Sequence, residues 1–218
     1  MTKNKSVLRY SVPLLIGISL LYSCTKSLTR INTVYFNDFE NFNLNTIEVS
    51  GWLNGLFGPV SDIRITDYNG NKVLGRFNNA RINLKLNNLP THQALRVEFD
   101  LYLHDKWKNT LWKMSFDGFD QLLTGFSNDS MVKQAYPNWL GNSMPLSPAG
   151  ADAFNTNLPG LCSLISSSRG TSMYKIVRSI AHSNKIFQLA CSDAGGIHND
   201  TCTRSWSMDN LKISVLKN

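Results

Sequence analysis

Beyond Tyr22 this chain has no long apolar run. The one near its start, Val12 to Tyr22, is 11 residues long, and crossing a bilayer takes about 20. The sequence therefore predicts no membrane-spanning helix. It also lacks any stretch with a sustained helical period, which argues against a helical bundle. Basic residues outnumber acidic ones, 22 to 15. They are scattered rather than gathered into an arm, so nucleic acid is not an expected partner. There is no nucleophile elbow, phosphate loop or His-Glu zinc helix. Internal repeats and a second domain are missing too.

What is present begins with a three-part leader. Met1 to Arg9 is polar and carries Lys3, Lys5 and Arg9, Val12 to Tyr22 is apolar, and small Ser23 precedes Cys24. That is the layout of a secretory signal. Without those three cations the balance is 19 basic to 15 acidic residues, a net charge of +4. Leu21-Tyr22-Ser23-Cys24 resembles a bacterial lipobox. The resemblance implies cleavage before Cys24, lipidation of its thiol and acylation of the new amino terminus, enough for stable anchoring. The expected organisation is a signal peptide over 1–23, a lipidated Cys24 with a tether over 24–32, and one domain over 33–218. The expected address is the bacterial cell envelope, lipid-anchored, with the outer membrane favoured.

The domain reads as strands and turns. Thr33 to Phe36, Asp62 to Thr66 and Lys72 to Leu74 are short β-type runs, and Asn69-Gly70 is a hairpin signal. Ala80 to Leu86 alternates throughout. From Ala94 to His104, Leu95, Val97, Phe99, Leu101 and Leu103 face one way, while Arg96, Glu98, Asp100, Tyr102 and His104 face the other. Period two over that length predicts a strand buried on one side. Further strands are expected at 111–116, 121–126, 173–180, 185–191 and 210–215. Many short strands separated by turns predict an all-β antiparallel sandwich. Ser127 to Thr171, rich in Asn, Ser, Pro, Gly and Ala, is a long irregular segment of the kind that is functional or mobile.

Four segments carry a resemblance: Asp38-Phe39-Glu40-Asn41-Phe42, Pro90 to Trp107, Ile180-Ala-His-Ser-Asn184 and Ser205-Trp-Ser-Met-Asp-Asn-Leu-Lys-Ile213. Their order resembles secreted bacterial laminin-G-like or concanavalin-A-like jelly-roll domains, over about residues 34–215. The resemblance implies two antiparallel sheets serving glycan or protein binding, with calcium frequent but not universal. Thr203-Arg204 stand where similar domains often carry acidic residues, which counts against calcium.

Glu98, Asp100, Tyr102 and His104 form the first candidate site, a polar row spaced by about 7 Å. They suit a sugar groove, with Trp107, Trp112 and, from the long loop, Trp139 as platforms. The plain alternative is a wet sheet face. Sandwich glycosidases carry Glu-x-Asp-x-Glu on such a strand. Tyr102 replaces the third carboxylate here, so the general acid is missing and no enzyme is expected. Asp38, Glu40 and Asp209 are candidate calcium ligands, because first and last strands of jelly rolls are often neighbours. Otherwise Asp38 and Asp209-Asn210 simply turn the chain. Cys191 and Cys202 are an expected disulfide, leaving Cys162 unpaired. Trp52 and Trp206 read as core, and His92 and His182 as hydrogen-bonded residues rather than ligands. The leading reading is an envelope lipoprotein with a glycan-binding module. Its alternative is an assembly lipoprotein contacting another envelope protein, and a polysaccharide hydrolase or lyase is the minor reading.

Overall fold

The computed structural model describes residues 29–41, 44–53, 56–59, 65–140, 145–194 and 200–217, with the backbone alone at 51–53, 56–59 and 194. The expected leader, Cys24, Asp62 to Arg64 and the side chain of Trp52 lie outside what is described. Among the described residues there is no helix, and none long and apolar enough to cross a membrane.

In chain order the strands are β1 (Arg30–Asn37), β2 (Ile47–Leu53), β3 (Leu56–Pro59), β4 (Ile65–Tyr68), β5 (Asn71–Phe77), β6 (Ala80–Leu86) and β7 (Ala94–Asp105). They continue with β8 (Thr110–Phe116), β9 (Phe119–Phe126), β10 (Asn155–Leu158), β11 (Thr171–Ala181), β12 (Phe187–Ala194) and β13 (Arg204–Lys217). A seven-stranded sheet runs β10-β11-β7-β13-β5-β4, with β1 also against β13. A six-stranded sheet runs β3-β2-β6-β12-β8-β9. The defined registers are antiparallel in both sheets, and the chain crosses repeatedly between them. The fold is therefore an all-β antiparallel jelly-roll sandwich, as the alternation predicts. β1 begins at Arg30, inside the stretch expected as tether.

Alternation places the core. Leu95, Val97, Phe99, Leu101 and Leu103 of β7 are buried, and so are Ile82 and Leu84 of β6, Met114 and Phe116 of β8, and Leu211, Ile213 and Val215 of β13. Trp112 and Trp206 meet edge to face between the sheets, their ring centres 6.0 Å apart. The Trp206 indole donates to Asp193 Oδ1 at 2.8 Å. The same buried carboxylate accepts the backbone N–H groups of Asn79 and Ala80, and Arg204 lies 3.5 Å from its other oxygen. A buried charge needs such partners. Here they join the β5–β6 turn to both sheets.

Polar hubs also order the connections. Gln134, fully buried, organises the start of the long segment. Its Oε1 accepts from Ser127 N, Gly150 N and the Tyr174 hydroxyl, and its Nε2 donates to the Tyr136 and Ala151 carbonyls. At one end of the sandwich the His92 Nδ1–H donates to Pro90 O, so its Nε2 accepts from His182 Nδ1 at 2.7 Å. His182 Nε2 then lies 3.1 Å from Asp117 Oδ2 in the β8–β9 turn. Both histidines are thus hydrogen-bonded, as expected.

The disulfide joins Cys162 to Cys202, not Cys191 to Cys202. Cys191 sits between Leu189 and Asp193 on the inward side of β12. Its free thiol is fully buried, and burial pushes its pKa upward. The partner of Cys202 comes instead from the long segment, which crosses over the His104 end of the seven-stranded sheet. Asp105 Oδ1 holds that crossing by accepting the N–H groups of Cys162 and Leu164. Closing a 40-residue separation restricts the unfolded chain by about 4 kcal/mol. Replacing Cys202 by Ser should therefore lower unfolding stability by about 2–4 kcal/mol and remove any effect of reductant on Tm. If Cys191→Ser abolished the reductant effect instead, the pairing would be wrong.

Candidate functional site

The row Glu98 to His104 does lie on one face, the outer face of the seven-stranded sheet. Pairing sets its neighbours. Glu98 stands between Val177 and Lys212, and Asp100 between Lys175 and Asp209. Tyr102 stands between Met173 and Ser207, and His104 between Thr171 and Ser205.

The structure divides this row in two. At one end His104 is completely buried beneath Tyr68, whose ring centre is 4.7 Å away. The Tyr68 hydroxyl donates to Pro159 O, which closes the long segment over this end. His104 is bonded to Thr171 Oγ1 at 3.1 Å and to Ser207 Oγ at 3.0 Å. Burial, followed by the charge of Arg76, pushes its pKa down to about 3. Tyr102 is half-buried against Tyr68. His104 therefore cannot contact a ligand, contrary to the sequence expectation. Trp107 is also fully buried, its indole N–H donating to Ser205 O and Arg204 lying over its ring. Trp112 belongs to the core. Trp139 remains partly exposed, but its segment runs beside β9 of the other sheet, where Leu140 N donates to Leu123 O.

The other end is open. Glu98 and Asp100 line a groove of about 240 Å³ with Phe36, Lys175, Val177 and Lys212. Its polar groups are paired. Glu98 meets Arg96 at 2.9 Å and Lys212 at 3.5 Å, and Asp100 lies 3.6 Å from Lys175. Lys175 also sits 4.5 Å from the centre of the Phe154 ring. Phe36 and Phe154 are 56% and 66% exposed, so two phenyl rings border the charged floor. Neither was singled out in the sequence, since an isolated Phe gives no signal of exposure. Their neighbours in space come from distant strands.

A β-bulge shapes the groove wall. The β7–β13 register shifts between Asp209 and Lys212, so two residues of β13 face one of β7. Asn210 takes up the bulge with φ 52°, a conformation Asn tolerates better than most residues. Its side-chain N–H donates to Asp100 Oδ2 at 2.9 Å, and its backbone N–H to Asp209 Oδ1 at 2.6 Å.

Asp209 stands opposite Asp100 and is 3% exposed. Desolvation pushes its pKa up to about 6. Asn210 N–H opposes that shift, while Asp100, Glu40 and Asp38 reinforce it. The candidate calcium ligands thus come near enough to repel one another. Several of their oxygens are already used: Glu40 Oε1 accepts Lys72 N at 2.8 Å, and Asp38 Oδ1 accepts Glu40 N. Among the described residues no three His, Cys, Asp or Glu side chains are grouped to hold a metal ion.

No family model matches the chain, and no curated protein matches it either. Solved structures similar to it include dimeric latent PorU from Porphyromonas gingivalis, at 10% identity and TM-score 0.37 over 63% of this chain. The chain spans only 10% of that protein. A family 35 carbohydrate-binding module from Clostridium thermocellum is 9% identical, with TM-score 0.32 over 85% of this chain and 96% of the module. Another from Paenibacillus barcinonensis is 13% identical, with TM-score 0.35 over 82% and 97%. Likenesses this distant carry no argument about fold or ligand. The sandwich rests on its own strand pairing.

Two buried groups give opposite pH dependences. The folded pKa of Asp209 lies above its ordinary 3.8, so its contribution is most favourable below that pH and is lost as pH rises through about 6. The folded pKa of His104 lies below its ordinary 6.5, so its contribution is present above that pH and is lost as pH falls toward about 3. Asp209→Asn should match wild type near pH 3.5 and exceed it by about 2 kcal/mol at pH 7. His104→Gln should flatten the acid limb instead. Chemical denaturation across pH 3.5–7.5 checks both. An Asp209→Asn advantage that did not vary with pH would refute the first.

Proposed function

We propose that this chain is an envelope-anchored lipoprotein whose sandwich binds glycans in the groove at Glu98 and Asp100. One observation carries the reading: two exposed phenyl rings, Phe36 and Phe154, border a floor of carboxylates and ammonium groups. Sugars offer C–H faces that pack on aromatic rings and hydroxyls that bond to charged groups. No catalytic role is proposed for Glu98 or Asp100. Each is held by cations or by Asn210, and the strand offers Tyr102 where a third carboxylate would stand. Anchoring rests on the leader and on Cys24 alone.

A second reading has its own support. Met131, Trp139, Leu140 and Leu146, all in the long segment, are exposed. Apolar exposure of that kind suits docking to another envelope protein.

The test is a glycan array probed with the full chain in detergent, in calcium and then in EDTA. Saturable binding to one glycan class is expected. Phe36→Ala should weaken it about fivefold, as befits an aromatic contact of about 1 kcal/mol. A blank array in both buffers would overturn the glycan reading and favour the protein partner. Loss in EDTA would place calcium at the site. For the anchor, Cys24→Ser should move the protein from the membrane fraction to the soluble one. Retention in membranes would refute lipidation at that residue.

A further inference from the structure

The outer face of the six-stranded sheet has a different character. Pairing sets Glu48 beside Asn83, Asn83 beside Ala190, and Ala190 beside Ser115. In the next row Lys85 stands beside Gln188. All these residues alternate with core residues, so they point outward. The centre of the face is built from the short side chains of Ala190 and Ser115, and longer ones rise around it. The result is a trough of about 260 Å³ across β2, β6, β12 and β8.

Its polar groups differ from those of the first groove. There the charges are bonded to one another. Here, among the described residues, the side chains of Glu48, Asn83, Lys85 and Gln188 make no hydrogen bond or ion pair, while Arg81 at the same trough is engaged. The set offers a carboxylate that accepts, an ammonium that donates, and two amides that do both. No exposed apolar side chain lines it, so it offers nothing to a lipid. The strands beneath it are internal and their backbone groups are spent in ladders, so an extended peptide cannot add by strand pairing. Glu48 offsets the charge of Lys85, and Arg81, which also lines the trough, is already engaged within the protein, so a polyanion gains little. What remains is a ligand with many neutral hydroxyls. From β2 to β8 is three interstrand steps, about 14 Å.

We propose that this trough is a second binding site, for a neutral unbranched oligosaccharide lying across the strands. Its floor stays low because Ala190 is small, and Asn83 and Gln188 grip adjacent hydroxyls from opposite sides. The site is independent of the groove at Glu98, which lies on the other sheet. One anchored molecule would then hold two glycan chains, one on each face of the sandwich. Lacking an aromatic platform, the trough binds weakly, with Kd in the range of about 0.1–10 mM.

The experiment titrates the full chain in detergent with cellotetraose, xylotetraose, mannotetraose and maltotetraose, following side-chain amide signals by NMR. Asn83 and Gln188 report on the trough and Asn210 on the first groove. Saturable shifts at Asn83 and Gln188 with at least one probe are expected. They should persist in Phe36→Ala. In Ala190→Phe, which fills the floor, the apparent Kd should rise at least tenfold. Should that variant fold poorly, the double variant Asn83→Ala, Gln188→Ala must show the same loss, read from backbone signals of β12. Still signals at both amides with all four probes at about 10 mM would overturn the proposal, as would shifts unaffected by both variants. Shifts confined to Asn210 would overturn it while supporting the first groove. Shifts at the trough alone, unchanged in Phe36→Ala, would uphold it and tell against the groove at Glu98.

Discussion

The pairing of β7 with β13 is the constraint on which the rest of the molecule depends. These two long strands run side by side through the middle of the seven-stranded sheet, Arg204 opposite Asp105 at one end and Leu216 opposite Ala94 at the other. A shift by one residue would send Leu95 to Leu103 outward and the carboxylates inward. Burial of five apolar residues on β7 and of Trp206, Met208, Leu211, Ile213 and Val215 on β13 forbids it. The bulge at Asn210 keeps β13 in phase. Were Asn210 paired regularly instead of bulged out, Leu211, Ile213 and Val215 would face solvent.

That constraint carries a cost at the surface. Correct register forces Asp100 and Asp209 to face each other, and like charges directly opposite are unfavourable. The chain relieves the conflict locally. Asn210 donates to both carboxylates, and Lys175 approaches Asp100 from the far side. The raised pKa of Asp209 is the conflict that remains. The groove and its electrostatics thus arise from one bulge placed for packing.

Much of this was legible in the sequence, and the rest was not for identifiable reasons. β7 and β6 were readable because each alternates without a break, and every member of the row at Glu98 was placed on its correct face. β2, β3 and β10 were missed: β3 and β10 have only four residues each, and β2 and β3 contain Gly51 and Gly58, which dilute the pattern. Alternation says which face a residue takes but not what lies over that face. His104 and Trp107 were expected to be open, and both are covered by residues distant in sequence, Tyr68 and Pro159 for one, Ser205 and Arg204 for the other. The disulfide could have been corrected from the sequence. Phe187, Leu189 and Cys191 share a parity that makes them all core. The trough was half visible, since Asn83 and Lys85 alternate outward on β6. Its floor, Ala190 and Ser115, depends on which strands flank β6 and β12, and that is a matter of topology.

The two faces make opposite demands on a ligand. In the groove at Glu98 the charged groups are already satisfied, so a hydroxyl gains little by replacing one partner with another. Net affinity there must come from the phenyl rings, and specificity from which hydroxyls can be accommodated without breaking an ion pair. In the trough the side chains of Asn83, Gln188, Glu48 and Lys85 have only water to lose, so each hydroxyl well placed on them adds its full modest share of net hydrogen-bond energy, but no ring is present to add apolar contact. The first face should therefore be the more sensitive to loss of an aromatic residue. The second should be the more sensitive to the stereochemistry of adjacent hydroxyls, because its amides are fixed on paired strands and cannot follow a hydroxyl that turns away.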